Sequence, residues 1–509
     1  MAVDLTRKTV AAVREEVTQG TPLMPSAGSQ AIALQDGSFD IEPAFEEIEN
    51  SEIRSSIGAA KNLQGLENPT ASISHYIRHS GVEGTAPNYA ELIKAALGAE
   101  TINSTQYNTV SSSTAGSASA RAVVKVDTGE GATYAKGQAL LIKDPTNGYS
   151  VRNIYSISGD DLSLAFNLAN APGTGVDLGK CVAYSPVNSG HPSLTLALYR
   201  GNANSIEVLA GARVGEMSIE ANAGEFINGS FSLNGSSYYF DPIEITSSTR
   251  YLDFLDDATT RAATVTAKLY KDPHELAEAL QTSMNALGSS NTFTVSYSNS
   301  TGKFTIASDG TTLTLKWSTG ANTANSIGTK LGFLVASDDS AALTYTSDNA
   351  QSYAFPYTPS YDDSNPLVAK YNEVMLGSFN EYGCFCAQSL TVTVSNEISP
   401  VPCVCSESGV SEQLITKRDV QVEVTALLDK YDASKFKNYR AGDTVSFAYT
   451  AGTRSGGNFV AGSVINVFLK DAVISSFKLE DSDGVVALSL TVKGFVDSNG
   501  SGEVFVNFL

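Results

Sequence analysis

Short runs in which apolar and polar residues alternate recur along this chain, and they constrain its fold more than any other feature. Leu194–Tyr199, Gly215–Glu220, Phe231–Leu233, Leu390–Val394, Val420–Val424 and Leu488–Val492 all carry the pattern. Successive side chains of a strand point to opposite faces, so each run has one apolar and one polar face. In Gly215–Glu220, Met217 and Ile219 share one face, while Glu216, Ser218 and Glu220 share the other. Such runs belong in antiparallel sheets covered on one side. Two segments carry helix signals instead. Tyr89, Leu92, Ile93, Ala96 and Leu97 form one apolar stripe between Pro87 and Gly98. Asp272, Pro273 and Glu275 supply an N-cap, a first-turn proline and a capping box, with Leu276, Leu280 and Leu287 behind them and Gly288 as the stop. A mainly β protein with accessory helices is expected, not βαβ repetition.

At 509 residues the chain is too long for one ordinary core. Ser111–Ser117 reads as a small-residue linker. After it, Ala122 to Tyr184 reads as about five short strands, the size of a small barrel. A second interruption, about Ser236 to Asn365, holds the capped helix and a hairpin across Asp309-Gly310. The expected organisation is a discontinuous β-sandwich or barrel body of residues 1–117, 187–235 and 366–509, with an N-terminal arm and a flanking helix. A β-barrel-like insertion is expected at 118–186 and an α+β insertion at 236–365. Both are expected to face outward, where inserted domains are tolerated. Tyr238, Tyr239 and Tyr251 could form a sugar platform there, with core packing as the plainer reading.

Charge narrows the functional classes. With 33 Lys and Arg against 54 Asp and Glu, the net charge is −21, which argues against gripping phosphates. It does not argue against a surface that DNA slides past. No run approaches the roughly 20 apolar residues that span a bilayer. Met1–Gly20, with Arg7, Lys8, Arg14, Glu15 and Glu16, lacks the apolar stretch of a secretory signal, so folding in a cytosol is expected. Cys384, Cys386, Cys403 and Cys405 form two C-x-C pairs that could meet across adjacent strands. Zinc, disulfides and plain thiols are all open, although structural zinc usually takes wider spacing. His75 and His79 read as surface polar residues on a strand. No nucleophile elbow, Walker loop, zinc-helix motif or dinucleotide fingerprint is present, so neither catalysis nor a cofactor is expected.

Several stretches resemble a known family. They are Ser51–Arg54, Gly65, Ser72, Tyr76 and Pro87–Leu97, then Gly215–Gly235, then Thr391–Asn396, Arg418–Val424 and Gly456–Leu509. Together they resemble the major tail tube proteins of siphophages, with those of chi-like flagellotropic phages as the nearest kind. The resemblance covers the three body segments and leaves both insertions outside it. It implies a virion protein, assembled in the host cytoplasm, that forms homohexameric rings stacked into a hollow tail tube. The tape measure protein would fill the tube before DNA ejection, and terminator and tip proteins would close its ends. DNA would pass without specific binding, and no membrane partner is implied. Glu216, Ser218 and Glu220 are then the lumen-lining candidates. Glu42, Glu46, Glu47, Glu49 and Arg54 are the inter-ring candidates, with Met1–Glu47 as a reaching arm. Two rivals stand beside this reading: a multidomain adhesin or glycan-binding module, and a glycan-active enzyme among the many acids.

Overall fold

The computed structural model describes residues 5–55, 57–110, 119–201, 204–378, 386–427, 432–482, 484–497 and 502–509. The protein is mainly β, built from several sheets. The body begins with β1 (Val10–Glu15), β2 (Phe39–Glu42), a ribbon of β3 (Phe45–Ile48) and β4 (Leu63–Glu67), and β5 (Thr70–Tyr76). Helix α1 (Ala90–Leu97) and β6 (Gly98–Asn103) follow. Next come β7 (Cys181–Pro186), β8 (Leu194–Tyr199), β9 (Ile206–Asn222), β10 (Asn228–Asn234) and β11 (Ser237–Phe240). Helix α2 (Pro273–Asn285) lies in the second insertion. The chain closes with β12 (Glu373–Gly377), β13 (Ala387–Pro402), β14 (Val410–Leu427), helix α3 (Asp432–Ala441), β15 (Val445–Ser455), β16 (Asn458–Ser482), β17 (Val485–Gly494) and β18 (Phe505–Phe508).

Two sheets share β9. Its first half pairs with β8 and β11, and its second half pairs with β10 and β13. The change of partners falls at Gly211, where φ is +64° and a Cβ would run into Ser236. Only glycine fits such a bulge. Glu16 fixes the bend from beneath. Its buried carboxylate accepts hydrogen bonds from Gly211 N, Thr195 Oγ1 and Ser193 Oγ at 2.8 Å and from Gly20 N at 2.9 Å. Burial raises its pKa, and the four donors pull the other way.

The larger sheet runs β2–β5–β10–β9–β13–β14–β17–β16, antiparallel throughout. The first part of β16 pairs with β15 and β18 instead, and β18 carries β7 and then β6. One core lies between these layers, built from residues such as Met217, Phe231, Val392, Val422, Leu490 and Phe447. Helix α1 buries Leu92, Ile93, Ala96 and Leu97 in it, as its stripe predicts. Its last carbonyls are capped by side chains from the sheet: Asn396 Nδ2 donates to Ala96 O at 3.0 Å and Arg418 to Leu97 O at 3.1 Å.

Several boundaries differ from expectation. The first insertion is a six-stranded sheet running from Tyr107 to Leu178. Residues 181–186, expected inside it, form β7 of the body, because Val182 and Tyr184 face the body core while Cys181 and Ala183 face the insertion. Nor does this insertion merely decorate the surface. Asn153, Asn466 and Asn507 form a buried amide network across the junction, with contacts of 2.7 to 3.2 Å. The second insertion packs Phe254, Leu276, Phe293, Phe304 and Trp317 into its own core, but Ser237–Phe240 pairs with β9 in the body. Met1–Glu47 is not one reaching arm: Val10–Glu15 is an interior strand, with Ala11, Ala12 and Val13 buried. His75 is not a surface residue either. It is 1% exposed, its ring lies 4.2 Å from that of Tyr89, and burial lowers its pKa to about 4.

Candidate functional site

The polar faces predicted strand by strand fall on one side of the larger sheet. Antiparallel pairing sets them in rows, since residues directly opposite share a face. One row reads Tyr76, Asn228, Glu220, Thr391, Glu423 and Thr491. The next reads Ser74, Ser230, Ser218, Thr393, Gln421 and Lys493. The third reads Asp40, Ser72, Ser232, Glu216, Ser395 and Asp419. On the reverse side the same strands present Ile73, Phe231, Met217, Val394 and Val420 to the core.

The three rows hold five acids (Asp40, Glu216, Glu220, Asp419 and Glu423) and one cation (Lys493), so their net charge is −5 + 1 = −4. Lys493 is itself occupied by Asp419 at 3.6 Å. Most of the remaining side chains are Ser or Thr. Short hydroxyls leave the sheet flat, and the carboxylates stand above it. Glu220 and Glu423 lie two strands apart, about 10 Å, near one Debye length at cellular salt. They act on a passing ion together without strongly opposing one another. A phosphate approaching this face meets negative charge and no free guanidinium or ammonium within the three rows.

Glu216, Ser218 and Glu220 therefore share one face as expected, with both glutamates exposed and Ser218 half-buried. Sequence reading missed how far the surface extends, over six further strands. The signal was present in the Thr, Ser and Gln residues between the valines of Leu390–Val394 and Val420–Val424. Glu42, Glu46, Glu47, Glu49 and Arg54 lie elsewhere. Glu42 ends β2, Glu46 and Glu47 stand on β3, and Glu49 and Arg54 follow it. The β3–β4 ribbon continues the β2–β5 hairpin past the end of the sheet, and every residue of β3 is exposed.

The expectation that the C-x-C pairs could meet is overturned. Cys386 precedes β13, while Cys403 and Cys405 follow it. A continuous 16-residue strand between them spans roughly 50 Å. Cys386, Cys403 and Cys405 are free thiols, and Cys384 lies outside the described residues. No group of three or more His, Cys, Asp or Glu that could hold a metal occurs among the described residues. Tyr238, Tyr239 and Tyr251 do not converge. Tyr238 and Tyr239 pack against different cores, and Tyr251 belongs to the second insertion, beside Arg250. Among the described residues no helix is long and apolar enough to cross a membrane.

No protein-family model matches the chain, and no curated protein matches it.

Proposed function

We propose that copies of this chain close into rings, hexameric by resemblance to siphophage tail tube proteins, which stack into a tube that conducts DNA. The polar face of the larger sheet lines the bore, and Glu216, Glu220 and Glu423 supply its charge. The observation that carries this reading is the composition of that face: three registered rows made mostly of hydroxyls and carboxylates, net −4, on a sheet whose other face is mainly apolar. A wall for passing DNA needs these properties. Small hydroxyls offer no pocket for a base, and carboxylates repel phosphates, so no point along the wall becomes a resting site. The face also ends at an open edge, since β2 pairs with β5 alone among the described strands. Such an edge suits a neighbouring copy.

The protein acts in this reading as a structural virion component, not an enzyme. It holds a tape measure protein before ejection and meets terminator and tip proteins at the tube's ends. Negative-stain microscopy of the purified chain tests the reading. Rings or tubes with a central hole are the expected result. A monodisperse monomer at high concentration, or a bore lined by lysine and arginine, overturns it and returns the adhesin reading.

A further inference from the structure

We infer that the second insertion and the body form between them a binding cleft for a neutral saccharide, floored by aromatic rings and rimmed by amides. The inference stands apart from the tube reading, and either can fail without the other.

The cleft holds about 690 Å³ and lies where the second insertion returns to the body. Small-molecule sites run from roughly 300 to 1,000 Å³. Tyr199 at the end of β8 and Ile206 at the start of β9 form the body wall, with Ile243 and Glu244 just past β11. The facing wall comes from Phe333 and Leu334, which follow the short helix Gly328–Leu331, and from residues 349–357. Gly332 lets these two segments close on each other: its φ is +85°, and a Cβ there would run into Asn349 O.

The returning segment builds the floor. Tyr353, Phe355 and Tyr357 alternate with Ala354 and Pro356. Tyr353 is 8% exposed and packs in one cluster with Tyr199 and Ile206. Phe355 meets Tyr199 edge-on at 5.1 Å and Tyr357 at 5.9 Å. Tyr357, held by that contact, still exposes 42% of its surface.

Polar groups rim this floor. Gln351 Nε2 donates to Lys330 O at 3.0 Å, which fixes the amide and leaves its oxygen as an acceptor. Asn349, Ser352 and Thr329 are exposed beside it. Glu244 and Lys330 are the charged side chains of the lining, and neither forms an ion pair among the described residues.

These contents select the ligand. The flank adds Asp241, Asp348 and Asp272 against Lys303 and Arg14, so the neighbourhood totals −4 + 3 = −1. A phosphate or sulfate finds no basic cluster, and a cation meets Lys330 in the wall itself. An extended peptide would need a strand edge to pair with, and the walls supply only the two residues Ile243–Glu244 beyond the paired ends of β8 and β9. A sugar matches both halves of the cleft. Its C–H faces pack on aromatic rings, and its hydroxyls bond to amide and carboxylate groups.

Calorimetric titration of the full chain tests this. The probes are uncharged oligomers of glucose, galactose and N-acetylglucosamine, from one to six units long. Saturable binding of at least one series is expected, unchanged between about 50 and 200 mM salt because no charge is neutralised. Affinity that rises with length marks a polymeric glycan, and affinity complete in the monosaccharide marks a free sugar; either supports the inference. Trp317 is the chain's one tryptophan, and its ring lies 5.0 Å from that of Phe333, so its emission should shift along the same isotherm. Tyr357→Ala and the isosteric Glu244→Gln should each weaken binding about tenfold with the wild-type melt retained. Tyr371→Ala, at a ring 66% exposed outside the cleft, should bind like wild type. No saturation by any probe, a steep salt dependence, a silent Trp317 or undiminished affinity in both cleft variants overturns the inference.

Discussion

On the proposed reading, reversing the charge of the polar face should turn a surface that repels DNA into one that holds it. Glu216→Lys, Glu220→Lys and Glu423→Lys each change the local charge by two, so the three rows move from −4 to +2. All three side chains are exposed and belong to strands whose opposite faces carry the core, so the fold should lose less than about 1 kcal/mol in total. If each new lysine neutralises one phosphate, affinity scales with salt at a log–log slope of about −0.9 × 3 = −2.7 per copy. Binding should then weaken about 40-fold between 50 and 200 mM salt. Fluorescence anisotropy with a short labelled duplex measures this directly, and sizing of the same sample compares the assembly state of variant and wild type. Wild-type protein should show no binding at either salt concentration. The reasoning fails if wild-type protein already binds with a steep salt slope. It also fails if the triple variant keeps the wild-type assembly state and gains no affinity.

Three further outcomes follow from the packing. Arg418→Ala strands the buried Glu503 carboxylate, 2.9 Å away, and uncaps Leu97 O, so urea unfolding should lose about 3–5 kcal/mol; a loss below about 1 kcal/mol would show the pair is solvated. Asn466→Leu removes the amide that Asn153 and Asn507 share in the junction of the first insertion, leaving them only their bonds to Gly137 O and Ala139 N, and should cost about 1–3 kcal/mol, with hydrogen exchange rising first across residues 137–153. His75 titrates well below its ordinary 6.5, at about 4, because the folded chain buries it. The unfolded chain therefore binds the proton first, and stability present above pH 6.5 is lost as pH falls towards 4. His191, also lowered to about 4 by burial and by Arg418 and Arg213, acts in the same direction. His75 should cost about 2 kcal/mol between pH 7 and pH 5 and the half-buried, solvent-screened His191 less, and His75→Leu should remove the larger share of that slope. An unchanged slope in His75→Leu would locate the pH sensitivity elsewhere.

The sequence by itself determined what is set within a few residues. Alternation with period two placed Met217 and Ile219 opposite Glu216 and Glu220, because a strand's geometry admits no other assignment. The cap of α2 was equally local: Asp272 accepts from His274 N at 2.7 Å and Glu275 N at 2.9 Å. The return bond differs by one residue, since Glu275 reaches Lys271 N rather than the cap itself. Helix α3 escaped notice because Phe436 and Tyr439 form too narrow a stripe to read as a buried face, and in the fold both remain exposed.

Only the tertiary structure decided which strands are neighbours. Val10–Glu15 lies beside Leu194–Tyr199, and Gly229–Leu233 beside Ala71–His75, across more than 100 residues of intervening chain. A polar residue on an isolated strand is only solvated. The same residue in register with five others becomes part of a charged wall, and that register comes from burying the opposite faces in one core. The cysteines show the same limit: their spacing allowed a cluster, and an unbroken β13 separates them instead. Local geometry fixes where a side chain points, but the company it keeps is settled by non-local burial, which outweighs the entropy of closing long loops.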